Sequence, residues 1–167
     1  MPSPFRLEPL GGGHGRNAFT SGVAPLDRYF QTQVTQDIRR RVATCFVAVE
    51  AATGKVAAYY TLTSAGIPIS DLPPEIVKKL PRYPSIPAVR IGRLAVDTRF
   101  QGKGLGGAML GDALQRVLSS APATYALLVD AKDEKAVAFY QHHGFIPLAS
   151  QPRTLFLPLA TAAKSLK

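Results

Sequence analysis

Cysteine is nearly missing from this sequence: its 167 residues include one, Cys45. That excludes an internal disulfide. Three histidines with no Cys/His cluster exclude a structural zinc site, so no metal is expected. Acidic residues are scarce as well, eleven Asp+Glu against twenty Lys+Arg, for a formal net charge of +9. Charged residues of both signs make up only 19% and apolar residues 46%, a balance that excludes an intrinsically disordered chain. No run reaches the roughly 18 apolar residues of a membrane span. No period of roughly 20–50 residues recurs, which excludes a solenoid. The opening Met1-Pro2-Ser3-Pro4-Phe5-Arg6 lacks a charged region followed by an apolar one, so no signal peptide is expected. With the lone thiol, this points to the cytoplasm.

What is present fits a single domain over residues 1–167, long enough to bury roughly 70% of its unfolded surface without a covalent staple. The basic excess is mostly arginine, the residue suited to bidentate phosphate contacts. It favours a polyanionic partner: nucleic acid, an anionic cofactor, an acidic protein or an anionic membrane.

Along the chain, Phe5 to Leu10 suits an edge strand, followed by the flexible run Gly11-Gly12-Gly13-His14-Gly15. Leu26, Tyr29, Phe30, Val34 and Ile38 fall at helical spacing, so one amphipathic helix is expected from Leu26 to about Val42. Pro25 suits its first turn and Ser21 its cap, and Arg39-Arg40-Arg41 end it where the helix dipole favours cations. Thr44–Glu50 and Lys55–Thr63 read as a hairpin around Thr53-Gly54. Residues 66–88 carry six prolines, through which no central strand or long helix is expected, apart from a short helix over Pro74–Leu80. An insertion of this kind often covers a site. A strand over Ala88–Asp97, a loop over Thr98–Lys103 and a helix over Gly104–Leu118 follow. Tyr125–Asp130 is apolar enough for a strand covered on both faces, and Glu134–His142 is a helix stopped by Gly144. Phe145–Leu148 and Thr154–Leu157 would close the sheet, and residues 160–167 would form a frayed tail. The pattern is an α/β fold, a central mixed sheet flanked by helices.

Chemistry concentrates where a strand delivers the chain to Gln101-Gly102-Lys103-Gly104-Leu105-Gly106-Gly107 and this loop opens a helix. The first turn of a helix leaves N–H groups unpaired and carries partial positive charge. Glycines at 102, 104 and 106 let the backbone approach a ligand closely, and Arg99 and Lys103 add cations, a combination suited to a pyrophosphate. A P-loop is excluded because no Ser or Thr follows Lys103. A dinucleotide fingerprint matches formally, but the loop follows a late strand and lacks the acidic residue expected about 20 positions on. A bare strand-to-helix turn would not need so many glycines.

The spacing Gln101-x-x-Gly104-x-Gly106 resembles the acyl-CoA pyrophosphate loop of the GNAT superfamily of N-acetyltransferases. Asp133 through Phe145, with Phe139-Tyr140 and Gly144-Phe145, resembles that family's closing helix and the strand after it. Most of the chain shares the resemblance, which implies the GNAT acyl-CoA N-acyltransferase fold and acetyl-CoA as co-substrate. Tyr59-Tyr60-Thr61-Leu62, Pro81-Arg82-Tyr83-Pro84, Gly92 to Asp97 and Val129 to Asp133 further resemble the GNAT-type toxins of type II toxin–antitoxin systems. That narrower resemblance implies acetylation of the α-amine of aminoacyl-tRNA, a block to translation, and an antitoxin partner with a ribbon-helix-helix DNA-binding domain. A homodimer is expected too.

The resemblance also implies roles for residues. The strand at Leu94, Ala95 and Val96 would align the pantetheine arm. Gln101, Gly102, Lys103, Gly104, Leu105 and Gly106, with Arg99 and Phe139, would hold the cofactor. Asp133 stands where the family usually has Asn; either caps a helix, but a carboxylate repels a phosphate, which sets its contact to the cofactor in question. Tyr140 would protonate the departing thiolate, a step typically worth about 10²–10⁴-fold. No dedicated base is evident, which agrees with an α-amine titrating near 7.7–8.0, lowered further by an adjacent ester. His142 and His143 fit a solvated cation at the helix end better than a base. Arg39, Arg40, Arg41, Arg82, Arg90 and Arg93 are candidates for RNA phosphates; the odd spacing of the last two puts them on opposite strand faces unless a bulge intervenes. Competing readings are a GNAT enzyme of a small-molecule amine or protein N-terminus, a CoA-binding module without catalysis, and a plain nucleic-acid binder. The last leaves the glycine loop and closing helix unexplained.

Overall fold

The computed structural model describes residues 4–165. Seven strands form one sheet, β1 (Phe5–Pro9), β2 (Thr44–Glu50), β3 (Val56–Pro68), β4 (Ser85–Val96), β5 (Ala126–Asp130), β6 (Ile146–Pro147) and β7 (Thr154–Pro158), in the order β1-β2-β3-β4-β5-β7-β6. β4 and β5 pair parallel, while β1 with β2, β2 with β3, β5 with β7 and β6 with β7 pair antiparallel, so the sheet is mixed, as the sequence suggests. The helices are α1 (Ala24–Thr32), α2 (Val34–Arg39), α3 (Pro74–Val77), α4 (Leu105–Leu118), α5 (Glu134–His142) and α6 (Leu159–Ser165). The chain divides into two compact units, the first Met1–Thr63 with Gly92–Ala113 and the second Ser64–Ile91 with Leu114–Lys167.

The first unit is built on the expected hairpin. β2 and β3 pair from Thr44–Leu62 to Val49–Val56, with a bulge at Ala48/Val49. Their apolar side chains meet α1: the Phe30 ring stacks on Tyr59 at 4.3 Å, and Phe19 stands edge-on to both. Burying side chains of this size contributes about 1.5–3 kcal/mol each. The single helix expected from Leu26 to Val42 is instead two. Gln33, at φ −117°, interrupts it, and the Tyr29 hydroxyl spans the break by donating to Asp37 at 2.7 Å. Ser21 is not the cap; that position is Val23, and Ser21 lies two residues earlier, its Oγ donating to Asp27.

α2 ends in a Schellman motif. Val42 N–H donates to Asp37 O and Arg41 N–H to Ile38 O, with Arg41 itself left-handed at φ 62°. Glycine is the usual residue there, so an arginine carries strain.

In the second unit β5 is buried on both faces, Ala126 through Val129 being almost wholly inaccessible, and it packs with Phe156 of β7. Two expectations fail here. β3 runs on to Pro68, and β4 starts at Ser85 with Pro87 inside it, so strands do enter the proline-rich segment from both ends. The prolines interrupt only what lies between, where α3 stops at Val77 rather than Leu80. The expected tail is also wrong: residues 159–165 form α6, with Leu159 and Ala162 buried and Leu159 N–H bonded to Tyr125 O. Positions 166–167 lie outside the described residues.

Candidate acyl-transfer site

In the first unit, the end of β4 is organised by a residue to which the sequence reading gives no role. Asp97 is fully buried. Its carboxylate accepts from Thr20 N–H and Arg99 N–H, and from the Arg99 guanidinium through Nε and Nη2, the last two at 2.9 Å. Burial pushes this carboxyl up, but the hydrogen bonds from Arg99 and Thr20 outweigh it and leave the pKa below the ordinary value. Arg99 is therefore held in place by a buried anion, with part of its side chain left exposed. Gln101 is likewise a brace: its Nε2 donates to Ser21 O and Val96 O, closing the turn between β4 and the glycine loop. An acid at a strand end, two residues before an arginine, is the signal that would have pointed to Asp97.

The loop itself fits the expectation closely. Gly102 and Gly104 have φ of +79° and +78°, a region an L side chain enters only at a cost, and a Cβ on either would meet nothing within 4 Å. Gly106 is different, since it lies inside the first turn of α4. The first helical bond is Ala108 N–H to Gly104 O, so helix geometry leaves the N–H groups of Leu105, Gly106 and Gly107 without intrahelical acceptors. Open space over the glycines, exposed Lys103 and unpaired amides together fit a pyrophosphate. Upstream, Ala95 is buried while Leu94 and Val96 are half-buried.

Arg93 belongs to the same unit. Its guanidinium carbon lies 3.5 Å from the centre of the Tyr29 ring, and its backbone N–H donates to the buried Thr61 hydroxyl at 3.1 Å. Arg39, Arg40 and Arg41 are exposed at the end of α2.

In the second unit, Tyr140 is held by the end of its own helix. Phe145 N–H donates to Tyr140 O and Gly144 N–H to Gln141 O, with Gly144 at φ +94°. This second Schellman motif brings its usual apolar contact, here the Phe145 ring 5.5 Å from that of Tyr140, and the Phe139 ring stands edge-on to Tyr140 at 5.2 Å. Tyr140 is buried, which pushes its phenol up to about 12, with Asp130 adding a smaller rise. No hydrogen bond occupies its hydroxyl among the described residues. Asp130 pairs with Arg90 and accepts from Thr154 Oγ1 at 2.8 Å. Arg90 thus makes its ion pair at the surface and is half-buried, while Arg82 is exposed.

At the start of α5, Asp133 Oδ1 accepts from Ala136 N–H at 2.8 Å. The carboxylate caps the helix, as either Asp or Asn would. His143 does not fit the expected cation: burial and its neighbour His142 hold its pKa below the ordinary value, and its ring sits edge-on to Phe139. No group of three or more metal-binding side chains occurs among the described residues. No helix among them is long and apolar enough to cross a membrane.

Comparison with known proteins agrees with this geometry. Residues 82–155 match the family described as an acetyltransferase (GNAT) domain. The chain is 33% identical over 165 residues to a probable toxin TacT of Sinorhizobium fredii, covering 93% of this chain and 91% of the relative. It is 32% identical over 147 residues to a tRNA-acetylating toxin of Mycobacterium tuberculosis, covering 87% and 86%. Among solved structures, AtaT complexed with acetyl-methionyl-tRNAfMet superimposes with a TM-score of 0.90 at 29% identity, covering 98% of this chain and 99% of that one. A tyrosine-to-phenylalanine mutant of the AtaT toxin, bound to the C-terminus of the antitoxin AtaR and acetyl-CoA, gives 0.82 at 25% identity, covering 99% of each chain.

Proposed function

Because this chain belongs to the GNAT acetyltransferase family, we propose that it is a toxin that moves the acetyl group of acetyl-CoA onto the α-amine of the amino acid carried by charged tRNA, and so blocks translation. Acetyl-CoA supplies the acetyl group as an activated thioester. The amides at the start of α4, with Lys103, would hold its pyrophosphate, and the backbone of Leu94–Val96 would align the pantetheine arm. An α-amine on an ester titrates below about 8, so a good fraction is neutral without a dedicated base.

The observation that carries the reading is Tyr140. Its ring is clamped by Phe139 and Phe145, its hydroxyl is left unbonded among the described residues, and burial keeps it protonated up to about 12. It is a proton donor held ready for a leaving thiolate. The exposed arginines, Arg39 to Arg41 and Arg82, would meet RNA phosphates. The basic excess of the chain also suits an acidic antitoxin segment, joined to a ribbon-helix-helix DNA-binding domain. The chain would act as a homodimer in the cytoplasm, where charged tRNA is found.

The test is incubation with radiolabelled acetyl-CoA and a pool of charged tRNA, beside deacylated tRNA, a small primary amine and the Tyr140→Phe variant. Label confined to charged tRNA and lost in the variant is expected. Label on the small amine or on a peptide N-terminus, and none on charged tRNA, would overturn the substrate assignment while leaving the family intact.

A further inference from the structure

The proline-rich segment of the second unit leaves an open groove of about 700 Å³ that the mechanism does not use. Ile69, Val77 and Leu80 give it an apolar floor, and these side chains are themselves packed on the buried cluster around Ile67, Ile86 and Phe156. Its rim is Pro81-Arg82-Tyr83-Pro84. Tyr83 is 60% exposed, more than any other large hydrophobic side chain among the described residues. No ring or hydrogen-bond partner engages it there. The two prolines fix the backbone on either side of Arg82-Tyr83, so the ring is presented with little freedom left to lose on binding. Lys78 and Arg82 line the groove and no carboxylate does, while the nearby Asp71 is engaged by Ser150.

An exposed aromatic face over an apolar floor, with two cations at the edge, matches a flat aromatic ligand that carries negative charge beside it. A nucleobase with its flanking phosphates has that form. A duplex does not, because its bases are stacked on one another and an A-form helix offers only groove edges and backbone. An acidic peptide would meet the cations but leave the ring face unmatched. We propose that this groove takes a nucleobase from the single-stranded 3′ end of the RNA, stacked on Tyr83, with the adjoining phosphates against Lys78 and Arg82. The inference rests on the aminoacyl-tRNA reading above and names how that substrate's unpaired end is held.

The test uses the full chain carrying Tyr140→Phe and a single-stranded RNA oligonucleotide ending in CCA, its terminal adenine replaced by fluorescent 2-aminopurine. Binding is expected to quench the probe. Tyr83→Ala should weaken binding by about 5- to 150-fold, the range for loss of one base–aromatic stack, and abolish the quench. Tyr83→Trp should keep both, and Lys78→Gln should lower the salt dependence. In the active enzyme, Tyr83→Ala should raise KM for charged tRNA but not KM for acetyl-CoA. If the wild type acetylates charged tRNA and Tyr83→Ala does so with unchanged KM, the groove proposal alone falls. If the wild type leaves charged tRNA unlabelled, the substrate reading falls first. An oligoglutamate peptide that binds in a Tyr83-dependent way where the oligonucleotide does not would assign the groove to an acidic partner segment and overturn the proposal.

Discussion

Replacing Tyr140 by Phe removes one oxygen from the site and nothing from the packing. The ring contacts to Phe139 at 5.2 Å and Phe145 at 5.5 Å are kept, and no hydrogen bond is lost among the described residues. The melting temperature should therefore move by no more than about 2 °C, since a change that keeps the packing and breaks no hydrogen bond stays within roughly 0.5 kcal/mol. The chemical step should slow by about 10²–10⁴-fold, the usual worth of a positioned general acid, equivalent to about 3–5 kcal/mol. Single-turnover acetylation of charged tRNA, followed by CoA thiol release between about pH 6 and 9.5, isolates that step. The wild-type rate should rise as the substrate amine loses its proton and then level off. No descending limb should appear in that window, because burial holds Tyr140 protonated up to about 12. A variant within threefold of wild type would refute the assignment. So would a wild-type rate that falls between pH 8 and 9.5, since the acid would then titrate far below its environment's dictate.

Further outcomes follow from the same chemistry. Asp97→Asn keeps the shape of a buried, four-times hydrogen-bonded side chain but drops its charge, and should lower the melting temperature by roughly 5–10 °C at pH 7. Because the Asp97 pKa is lowered on folding, its contribution is present above the ordinary carboxylate pKa and lost as pH falls through the folded value. The melting temperature of the variant should accordingly depend less on pH between about 5 and 2, and equal acid sensitivity of the two proteins would be the contrary result. Cys45 is buried and its thiol is pushed up to about 12, so a disulfide-exchange reagent at pH 8 should find it only after unfolding. A native chain that reacts at the rate of a free thiol would show that β2 opens. Folded-state pKa values raised for Cys45 and Tyr140 also mean stability that is whole below about pH 9 and lost as pH climbs toward 12.

The parts of this structure legible in the sequence are those with a local cause. The hairpin at Thr53-Gly54, the turn glycines 102 and 104, the stop at Gly144 and the cap at Asp133 each state their geometry within a few residues. The misreadings have non-local causes. Arg90 pairs with Asp130 of the neighbouring strand, a partner that no local pattern announces. α6 resembles a tail in composition and becomes a helix because Leu159 and Ala162 find a surface to bury against. The break between α1 and α2 leaves no Pro or Gly at the site, only Gln33, and is held by a tyrosine and an aspartate eight residues apart. The hydrophobic period continues across it, which is why one helix is the natural expectation.

Arg41 puts stability and function in opposition, and so tests the RNA surface directly. It sits left-handed at φ 62°, at the position of a Schellman motif where glycine is usual. An L residue there costs roughly 1–2 kcal/mol, and glycine's extra freedom in the unfolded chain returns about 0.5–1 kcal/mol of that. Arg41→Gly should therefore stabilise the protein by about 0.5–1 kcal/mol, seen as a melting temperature about 1–4 °C higher. A chain that keeps arginine at such a site forgoes this gain, which is reasonable only if the guanidinium is used. If it meets an RNA phosphate, the more stable variant should bind charged tRNA more weakly, and the slope of log K against log salt should fall by roughly 0.7–0.9. Arg90→Gln gives the contrast: its guanidinium is already paired with Asp130, so that slope should fall less than for Arg41→Gly. A higher melting temperature for Arg41→Gly with affinity and salt slope unchanged would show that the three arginines are a solvated helix end, and that the RNA contacts lie elsewhere.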